Sequence, residues 1–418
     1  FSENMQIKIG RDIMKTEELL TGLLSDYIHD SRGKYISAEL LKTEVTEEGW
    51  EELLMLARIH GVSGMVYLVL RDFGSDMKEI AGRFRREFEL AVVHALKQES
   101  GMESLELALE KAEIPHIFFK GWELRNYYPV PEVRMMSDVD FLIRERDRKK
   151  ACEALEAVGF LAEGAEKEVL CYYKEGLHLE MHCRIRAVLD NGADGTGWFR
   201  EAFSYGVFEP GEYSGYFEPE YHFVFLLFHL AKHMNSTGAG VRMFLDIAVF
   251  WRRFGSGMDK ERIRRMLDEL HLGLFSEQVF WLCGEWFHVE IPGGRKPEKE
   301  LYEILADYVF SGGTFGKRKR TIADMYSRES VTEENIGSMS RQRREGLLRY
   351  FFPSRERMAG ILPAVEKYPV LLPAAWVIRW YHGLFLRRKQ SVKVLKAIGK
   401  GNPAAEREYR MLKGLGLK

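Results

Sequence analysis

The hydrophobic pattern of the chain changes from a helical period to a strand period and back again, and this constrains the fold more than any other feature. Between positions 14 and 100 of the chain, apolar residues recur at intervals of three or four residues, which predicts a layer of helices. At 114–121 a short apolar run is bounded by proline and glycine, which predicts a strand that ends in a turn. The helical period returns after about residue 218 and persists to the end.

The segment between these helical regions predicts a small sheet. A second strand is expected at 137–143, followed by a helix that ends at Gly159, a residue typical of helix C-termini. Two further strands, 168–173 and 177–185, are joined by a glycine turn and read as an antiparallel hairpin. We therefore expect an α+β protein in which a small mixed sheet of roughly 90 residues lies between two helical regions.

The length of 418 residues fits two or three domains of roughly 100 to 200 residues each. We divide the chain into four segments: an N-terminal helical region (1–100), an α/β core (101–215), a helical domain (216–330) and a basic helical C-terminal region (331–418).

Three carboxylates stand out within the predicted sheet. Asp138 and Asp140 are two residues apart on one predicted strand, so they project from the same face. Glu180 alternates with apolar residues on the hairpin strand and shares a polar face with His178 and His182. If the two strands are neighbours, one pocket holds all three acids.

Such a group suits phosphoryl transfer from a nucleoside triphosphate. Two Mg²⁺ or Mn²⁺ ions about 3.5 to 4 Å apart would clamp the attacking and leaving oxygens, with Asp138, Asp140 and Glu180 as ligands. Glu180 would also help to deprotonate the acceptor hydroxyl. Lys120 and Gly121, at the start of a predicted helix, and Arg134 are candidates for binding the triphosphate. The alternative is that the acids form a solvated strand end and the cations are surface charges.

Several of these segments together resemble a known family. The residues that carry the resemblance are Phe119-Lys-Gly121, Tyr128, Arg134, Ser137-Asp-Val-Asp-Phe-Leu-Ile143, Glu180-Met-His182, His229, His233, Arg242 and Asp246. The pattern is similar to that of uncharacterised bacterial nucleotidyltransferases within the DNA polymerase beta-like superfamily. The resemblance implies a minimal nucleotidyltransferase fold in which 216–330 completes the nucleotide cleft. It implies that Asp138, Asp140 and Glu180 are catalytic and bind metal, and it adds His182, His233 and Arg242 as nucleotide-binding candidates. Where the superfamily has Gly-Ser or Gly-Gly, this chain has Gly121-Trp122.

Other features have competing interpretations. His229 and His233, four apart on a predicted helix, could hold zinc, but no third ligand stands at a recognisable spacing. Arg242 and Asp246 could form an i, i+4 salt bridge instead of a nucleotide site. The glycine-rich segment 312–317 lacks the full phosphate-loop spacing and is expected to be a loop.

Three functions remain open at this point. The first is transfer of a nucleoside monophosphate from a triphosphate to an acceptor hydroxyl of a protein, small molecule, glycan precursor or RNA end. The second is a nucleotide-sugar glycosyltransferase, which also uses an Asp-x-Asp motif but normally has an α/β half before it. The third is a catalytically inactive nucleotide-binding or scaffold protein.

Charge and cysteine content bear on partners and location. The net charge is −2, yet 341–400 holds fourteen Lys and Arg against three Glu, and a Lys-Arg cluster stands at 317–320. Nucleic-acid binding by this basic region is one interpretation, although charge runs usually form solvated faces.

The apolar run 370–378 is far shorter than the roughly 20 residues that span a bilayer. Four cysteines without paired spacing and no visible export signal lead us to expect a cytoplasmic protein without a membrane span.

Overall fold

The computed structural model describes residues 6–9, 12–163, 169–185, 189, 195–313, 321–359 and 361–418. They form two compact units. The N-terminal unit runs up to Pro297 and includes the segment that starts at Val309. The C-terminal unit contains Glu298–Tyr308 and the described residues from 321 to Gly416.

The N-terminal unit begins with a two-stranded antiparallel ribbon, β1 (Gln6–Ile9) and β2 (Asp12–Lys15), and five helices. The helices are α1 (Thr16–Ile28), α2 (Ala38–Glu44), α3 (Glu47–His60), α4 (Ser63–Asp72) and α5 (Lys78–Lys111). The side chains of Ser37 and Thr46 accept hydrogen bonds from the first turns of α2 and α3, which fixes where those helices begin. The predicted N-terminal layer of helices is confirmed.

A seven-stranded mixed sheet follows. Its strands are β3 (His116–Phe119), β4 (Val139–Ile143), β5 (Leu161–Ala162), β6 (Val169–Lys174), β7 (Leu177–His182), β8 (Gly206–Phe208) and β9 (Ser214–Phe217). They lie in the order β5-β6-β7-β4-β3-β9-β8. The pairs β4–β7 and β3–β9 are parallel and the others antiparallel. The α+β class and the mixed sheet are confirmed, but the sheet is larger than the four predicted strands.

Three helices connect the strands and four follow the sheet. They are α6 (Gly121–Arg125), α7 (Arg148–Ala157) and α8 (Gly195–Arg200), then α9 (Pro219–Asn235), α10 (Val241–Phe254), α11 (Lys260–Glu269) and α12 (Gly273–Phe287).

The two faces of the sheet have different neighbours. Val139, Phe141 and Ile143 of β4 belong to an apolar core that also contains Leu105 of α5 and Leu155 of α7. Because side chains alternate along a strand, the intervening residues of β4 face the opposite side. There Phe119 of β3 packs edge-on against Phe225 of α9. A polar residue on this second face is therefore covered by α9 rather than by the main core.

The C-terminal unit is helical. It contains the first part of α13 (Lys299–Gly312), α14 (Ile322–Ser330), α15 (Met339–Phe351), α16 (Arg355–Ala359), α17 (Ala364–Lys367), α18 (Leu372–Tyr381), α19 (Arg388–Lys400) and α20 (Pro403–Gly414). A π-helical turn, His382–Leu386, joins α18 to α19. No helix in the described part of the chain combines the length and the apolar character needed to cross a bilayer.

Candidate active site

Three neighbouring strands bring the predicted carboxylates together. Across the parallel pair β4–β7, Asp140 lies opposite Glu180. Across the antiparallel pair β3–β4, Asp140 lies opposite Phe119, so Lys120 follows directly at the end of β3. Asp138 comes immediately before β4. The hairpin strand therefore does lie beside the Asp-x-Asp strand, which was the condition for a shared pocket.

Asp140 is the centre of this group. Its side chain is buried, and its Oδ1 accepts a hydrogen bond from the Lys120 ammonium and another from His182 Nε2 at 2.9 Å. The same His182 nitrogen lies 3.5 Å from a Glu180 carboxylate oxygen. Burial acts to raise the pKa of Asp140, but Lys120 and His182 outweigh it and lower that pKa below its usual range. Asp140 is thus held as an anion inside the protein.

The residues closest to a metal-binding arrangement are Asp140, Glu180 and His182. One potential ligand atom from each lies within 4.8 Å of the others. Asp138 stands next to this group and accepts a hydrogen bond from Ser137 Oγ at 2.7 Å. Burial and the neighbouring Asp140 raise the pKa of Asp138. His182, expected to contact nucleotide, thus lies among the carboxylates themselves.

Lys120 has an unusual backbone. Its φ of +57° and ψ of −132° are rarely adopted by a residue with a side chain, and such conformations cost on the order of 1–3 kcal/mol. Burial acts to lower the pKa of Lys120, but Asp140 outweighs it and raises that pKa, so the amine is a cation. A strained turn that directs a half-buried lysine onto a buried aspartate is typical of a functional site.

Gly121 and Arg134 lie next to each other, and the contact between them is one of packing. A Cβ atom on Gly121 would lie 2.9 Å from a guanidinium nitrogen of Arg134, so only glycine fits there without displacement. The guanidinium of Arg134 donates to Asp246 through Nε at 3.0 Å and through Nη2 at 2.7 Å. Tyr128 donates to the same carboxylate at 2.7 Å. Asp246 therefore pairs with Arg134, and the alternative pairing with Arg242 is not formed.

Arg242 remains available for a ligand. It lies in the first turn of α10, is buried, and forms no hydrogen bond or ion pair with any residue that the structure describes. Burial and the neighbouring Arg134 lower its pKa to about 10, whereas Asp246 and Asp138 act in the opposite direction. At neutral pH Arg242 is still a cation, and it stands within the electrostatic reach of the carboxylates.

A cavity of about 420 Å³ opens beside the carboxylates. It is lined by Lys120 and His182, by the aromatic rings of Phe119, Phe225 and Phe228, and by Glu145, Arg148, Val169, Cys183, Arg184, Ile185, His229 and Lys232. Its volume is within the range of about 300–1,000 Å³ that is usual for small-ligand sites. Four of its lining residues are Lys or Arg against one Glu, so the cavity favours an anion.

Of these cations, Lys232, Arg148 and Arg184 were not selected from the sequence. Lys232 carried the clearest signal, because it follows His229 by three residues and so shares its helix face. Burial and the neighbouring Lys120 lower the pKa of Lys232.

The two histidines of α9 do not form a zinc site with any other described residue. The rings of His229 and His233 contact each other edge to face at 4.5 Å, and His233 Nδ1 lies 3.0 Å from Thr237 Oγ1. No third His, Cys, Asp or Glu joins them in the described ranges. Burial lowers the pKa of His229 far below its usual value and that of His233 to about 4. The glycine-rich segment beyond Gly313 and the basic cluster 317–320 lie outside the described residues.

Comparison with known proteins gives one match. A family model described as an uncharacterised nucleotidyltransferase matches residues 46–288, more than half of the chain. The match starts at the N-cap of α3, ends at the C-cap of α12 and includes every residue of the candidate site. No curated protein and no solved structure matches. The predicted nucleotidyltransferase relationship is confirmed, and the chain belongs to this family of uncharacterised nucleotidyltransferases.

Proposed function

We propose that the protein transfers a nucleoside monophosphate from a nucleoside triphosphate to an acceptor hydroxyl, with release of pyrophosphate. The observation that carries the proposal is the side-by-side placement of Asp140 and Glu180 on two parallel strands, with Asp138 directly before one of them and Lys120 directly after a third. Few other reactions need three carboxylates and a lysine at one end of a sheet.

The donor set fits divalent metal. Asp140 and Glu180 offer the oxygen ligands that Mg²⁺ and Mn²⁺ prefer, and Asp138 offers another beside them. Two ions held by these three residues would neutralise charge on the triphosphate and polarise the phosphorus that is attacked. The Lys120 ammonium sits on Asp140 in this structure. Binding of metal would therefore require Lys120 to leave Asp140.

The residues of the chain have separable roles in this scheme. We assign Lys120 and Lys232 to the triphosphate, because both are cations that line the cavity beside the carboxylates. Arg242 is also assigned to the triphosphate, because it is a cation that interacts electrostatically with Asp138. Glu180 would accept the proton of the acceptor hydroxyl as its oxygen bonds to the α-phosphorus and the bond to pyrophosphate breaks. Arg134, in contrast, would act by holding Asp246 and Tyr128 in place.

The remaining expectations belong to the same proposal. We infer that the sheet and its flanking helices form a minimal nucleotidyltransferase core and that α9 and α10 complete the nucleotide cleft. The four-segment division of the chain, the DNA polymerase beta-like superfamily and a cytoplasmic location stay predictions. The proposed donor is ATP, GTP, CTP or UTP, and the proposed acceptor is a hydroxyl of a protein, a small molecule or a glycan precursor.

The test uses each of the four α-labelled triphosphates with Mg²⁺ or Mn²⁺ and a cell lysate as the source of acceptor. We expect label to be transferred by the wild-type protein and by the control Glu153→Gln, whose exposed side chain lies on α7. Transfer should be lost in Asp140→Asn and strongly reduced in Asp138→Asn and Glu180→Gln.

Two parallel arms separate the alternatives. Transfer of label from a γ-labelled triphosphate would show that the protein is a phosphoryl transferase instead. Transfer of sugar from a labelled nucleotide sugar would show that it is a glycosyltransferase. Nucleotide binding in a filter assay without any transfer to the lysate would instead support an inactive binding protein.

A further inference from the structure

The C-terminal unit exposes an unusual amount of apolar surface. Of the twenty-six large hydrophobic side chains that are exposed in the described part of the chain, twelve lie between 351 and 392, about a tenth of the sequence. Exposed hydrophobic residues scattered singly are normal, but a concentration of this kind marks an interaction surface.

These side chains are ordered along α18 and the turn after it. Ala374, Val377 and Tyr381 follow one another at intervals of three and four residues, which places them on one face of α18. Val370, in the 3₁₀ turn before α18, and Phe385, in the π-helical turn after it, each lie four residues beyond this set. All five are exposed, Val370 at 84% and Phe385 at 70%. We call this set the apolar stripe.

The opposite face of α18 holds the helix in the unit. Ala375 is buried, and the indoles of Trp376 and Trp380 donate hydrogen bonds to the carbonyl oxygens of Pro353 and Phe351. The apolar stripe is therefore not needed for the packing of its own helix.

The next helix carries an equally regular row of charge. Lys389, Lys393, Lys396 and Lys400 of α19 follow at intervals of four, three and four residues, and all four are exposed. We call this set the lysine stripe. Its members form no ion pair with a described residue.

The opposite face of α19 is the one that packs in the unit. Ser391, Val394 and Leu395 are half-buried there, and Ile398 is buried. The lysine stripe is therefore free to meet an external anion.

We propose that the C-terminal unit binds the surface of an anionic lipid bilayer through these two stripes, without crossing it. The apolar stripe is joined to the lysine stripe through one short π-helical turn. Apolar side chains at the acyl boundary and lysines at anionic head groups are typical of a segment that lies in the membrane interface. Between 361 and 400 there are eight Lys and Arg against Glu366 alone. This excess of positive charge favours a bilayer with anionic head groups over an uncharged bilayer.

A neighbouring cavity supplies the competing explanation. It measures about 730 Å³ and is lined by apolar residues that include Ile361, Leu362 and Ile378, so it would suit one lipid-like molecule. Val377, Phe385, Lys389 and Lys393 do not line this cavity. Variants of the two stripes therefore distinguish a bilayer surface from a single bound molecule.

The experiment is sedimentation of the full chain with vesicles of phosphatidylcholine alone or mixed with phosphatidylglycerol. We expect binding to the mixed vesicles only. Each lysine near such a surface contributes about 1 kcal/mol, so Lys389→Gln/Lys393→Gln should weaken binding by about 30-fold. Val377→Ser/Phe385→Ser should weaken it at least about tenfold, from the lost apolar burial.

Controls keep the test specific. Lys149→Gln/Lys150→Gln removes the same charge from exposed positions of α7 and should bind as the wild type does. Because every substituted side chain is exposed, the circular dichroism of the variants should be unchanged. The proposal is overturned if the wild type binds neither vesicle or both equally. It is also overturned if Ile361→Ser alone abolishes binding, or if the apolar-stripe variant changes only the mass in solution, as expected for contact with a second copy. None of these readouts depends on nucleotidyl transfer.

Discussion

Asp246 is the buried carboxylate that holds Arg134, and its replacement should destabilise the protein strongly. Both side chains are more than nine-tenths buried, and the carboxylate accepts two hydrogen bonds from Arg134 and one from Tyr128. Asp246→Ala leaves a buried guanidinium without its partner. Breaking a buried pair in this way costs about 3–5 kcal/mol of the free energy of unfolding.

The upper part of that range is expected here. Arg242 is also buried, and the positive charge of the neighbouring Arg134 lowers the pKa of Arg242. The negative charge of Asp246 acts in the opposite direction and raises that pKa. Removing Asp246 therefore leaves two neighbouring cations in a poorly solvated place. With an effective dielectric constant of about 20, two unit charges 4 Å apart interact by about 4 kcal/mol, so even a more distant pair adds to the loss.

The assay is urea unfolding followed by circular dichroism at neutral pH. The double variant Arg134→Met/Asp246→Leu removes both charges and should recover most of the loss, whereas Glu153→Gln should change the free energy of unfolding by less than about 0.5 kcal/mol. A loss below about 1 kcal/mol in Asp246→Ala would refute the structural role of the pair. So would an Arg134→Met variant that is fully stable but cannot bind nucleotide.

Three other predictions concern the site and the pH dependence of stability. Lys120→Met should raise the affinity for Mn²⁺ measured by calorimetry by about tenfold, because the ammonium no longer competes for Asp140; an unchanged affinity would show that the two do not compete. Asp140→Asn should lower nucleotidyl transfer at least about 100-fold, more than the loss usual for a residue that only supports a ligand, and residual transfer above a tenth of wild type would contradict its role. Burial lowers the pKa of His60 to about 4 from the usual 6.5. Below pH 6.5 the unfolded chain therefore binds a proton that the folded chain does not, and stability should fall between pH 6.5 and 4 by on the order of 3 kcal/mol. The free energy of unfolding should therefore fall less steeply between pH 6.5 and 4 in His60→Asn than in the wild type. Equal slopes in the two proteins would exclude His60 as the source of this pH dependence.

The sequence predicted the parts of the fold that carry strong local patterns. The helical layer before residue 100, the strand with Asp138 and Asp140 and the hairpin with Glu180 each have a clear hydrophobic period. The short edge strands β5 and β8 were not predicted. They have two and three residues, and their side chains are exposed or half-buried, so neither a buried run nor a long alternation marks them.

The partners of polar residues were harder to predict than their positions. Arg134 and Asp246 are 112 residues apart, so no spacing rule could pair them, whereas Arg242 and Asp246 had a local spacing that suggested a salt bridge. His182 joins the carboxylates because β7 pairs in register with β4. A strand register is a tertiary property, and the local sequence does not determine it.

The backbone strain at Lys120 is offset by the ion pair that its own side chain forms. Glycine would adopt that conformation without strain, yet it would remove the cation from Asp140. Lys120→Gly thus loses the function of the side chain while it relieves the turn, although the freer unfolded chain offsets part of that gain. The substitution also leaves the buried Asp140 without its ammonium partner, and breaking such a pair costs about 3–5 kcal/mol, more than the strain that glycine relieves. A directed-evolution experiment that selects for heat resistance alone should therefore retain lysine at this position, as should one that selects for nucleotidyl transfer.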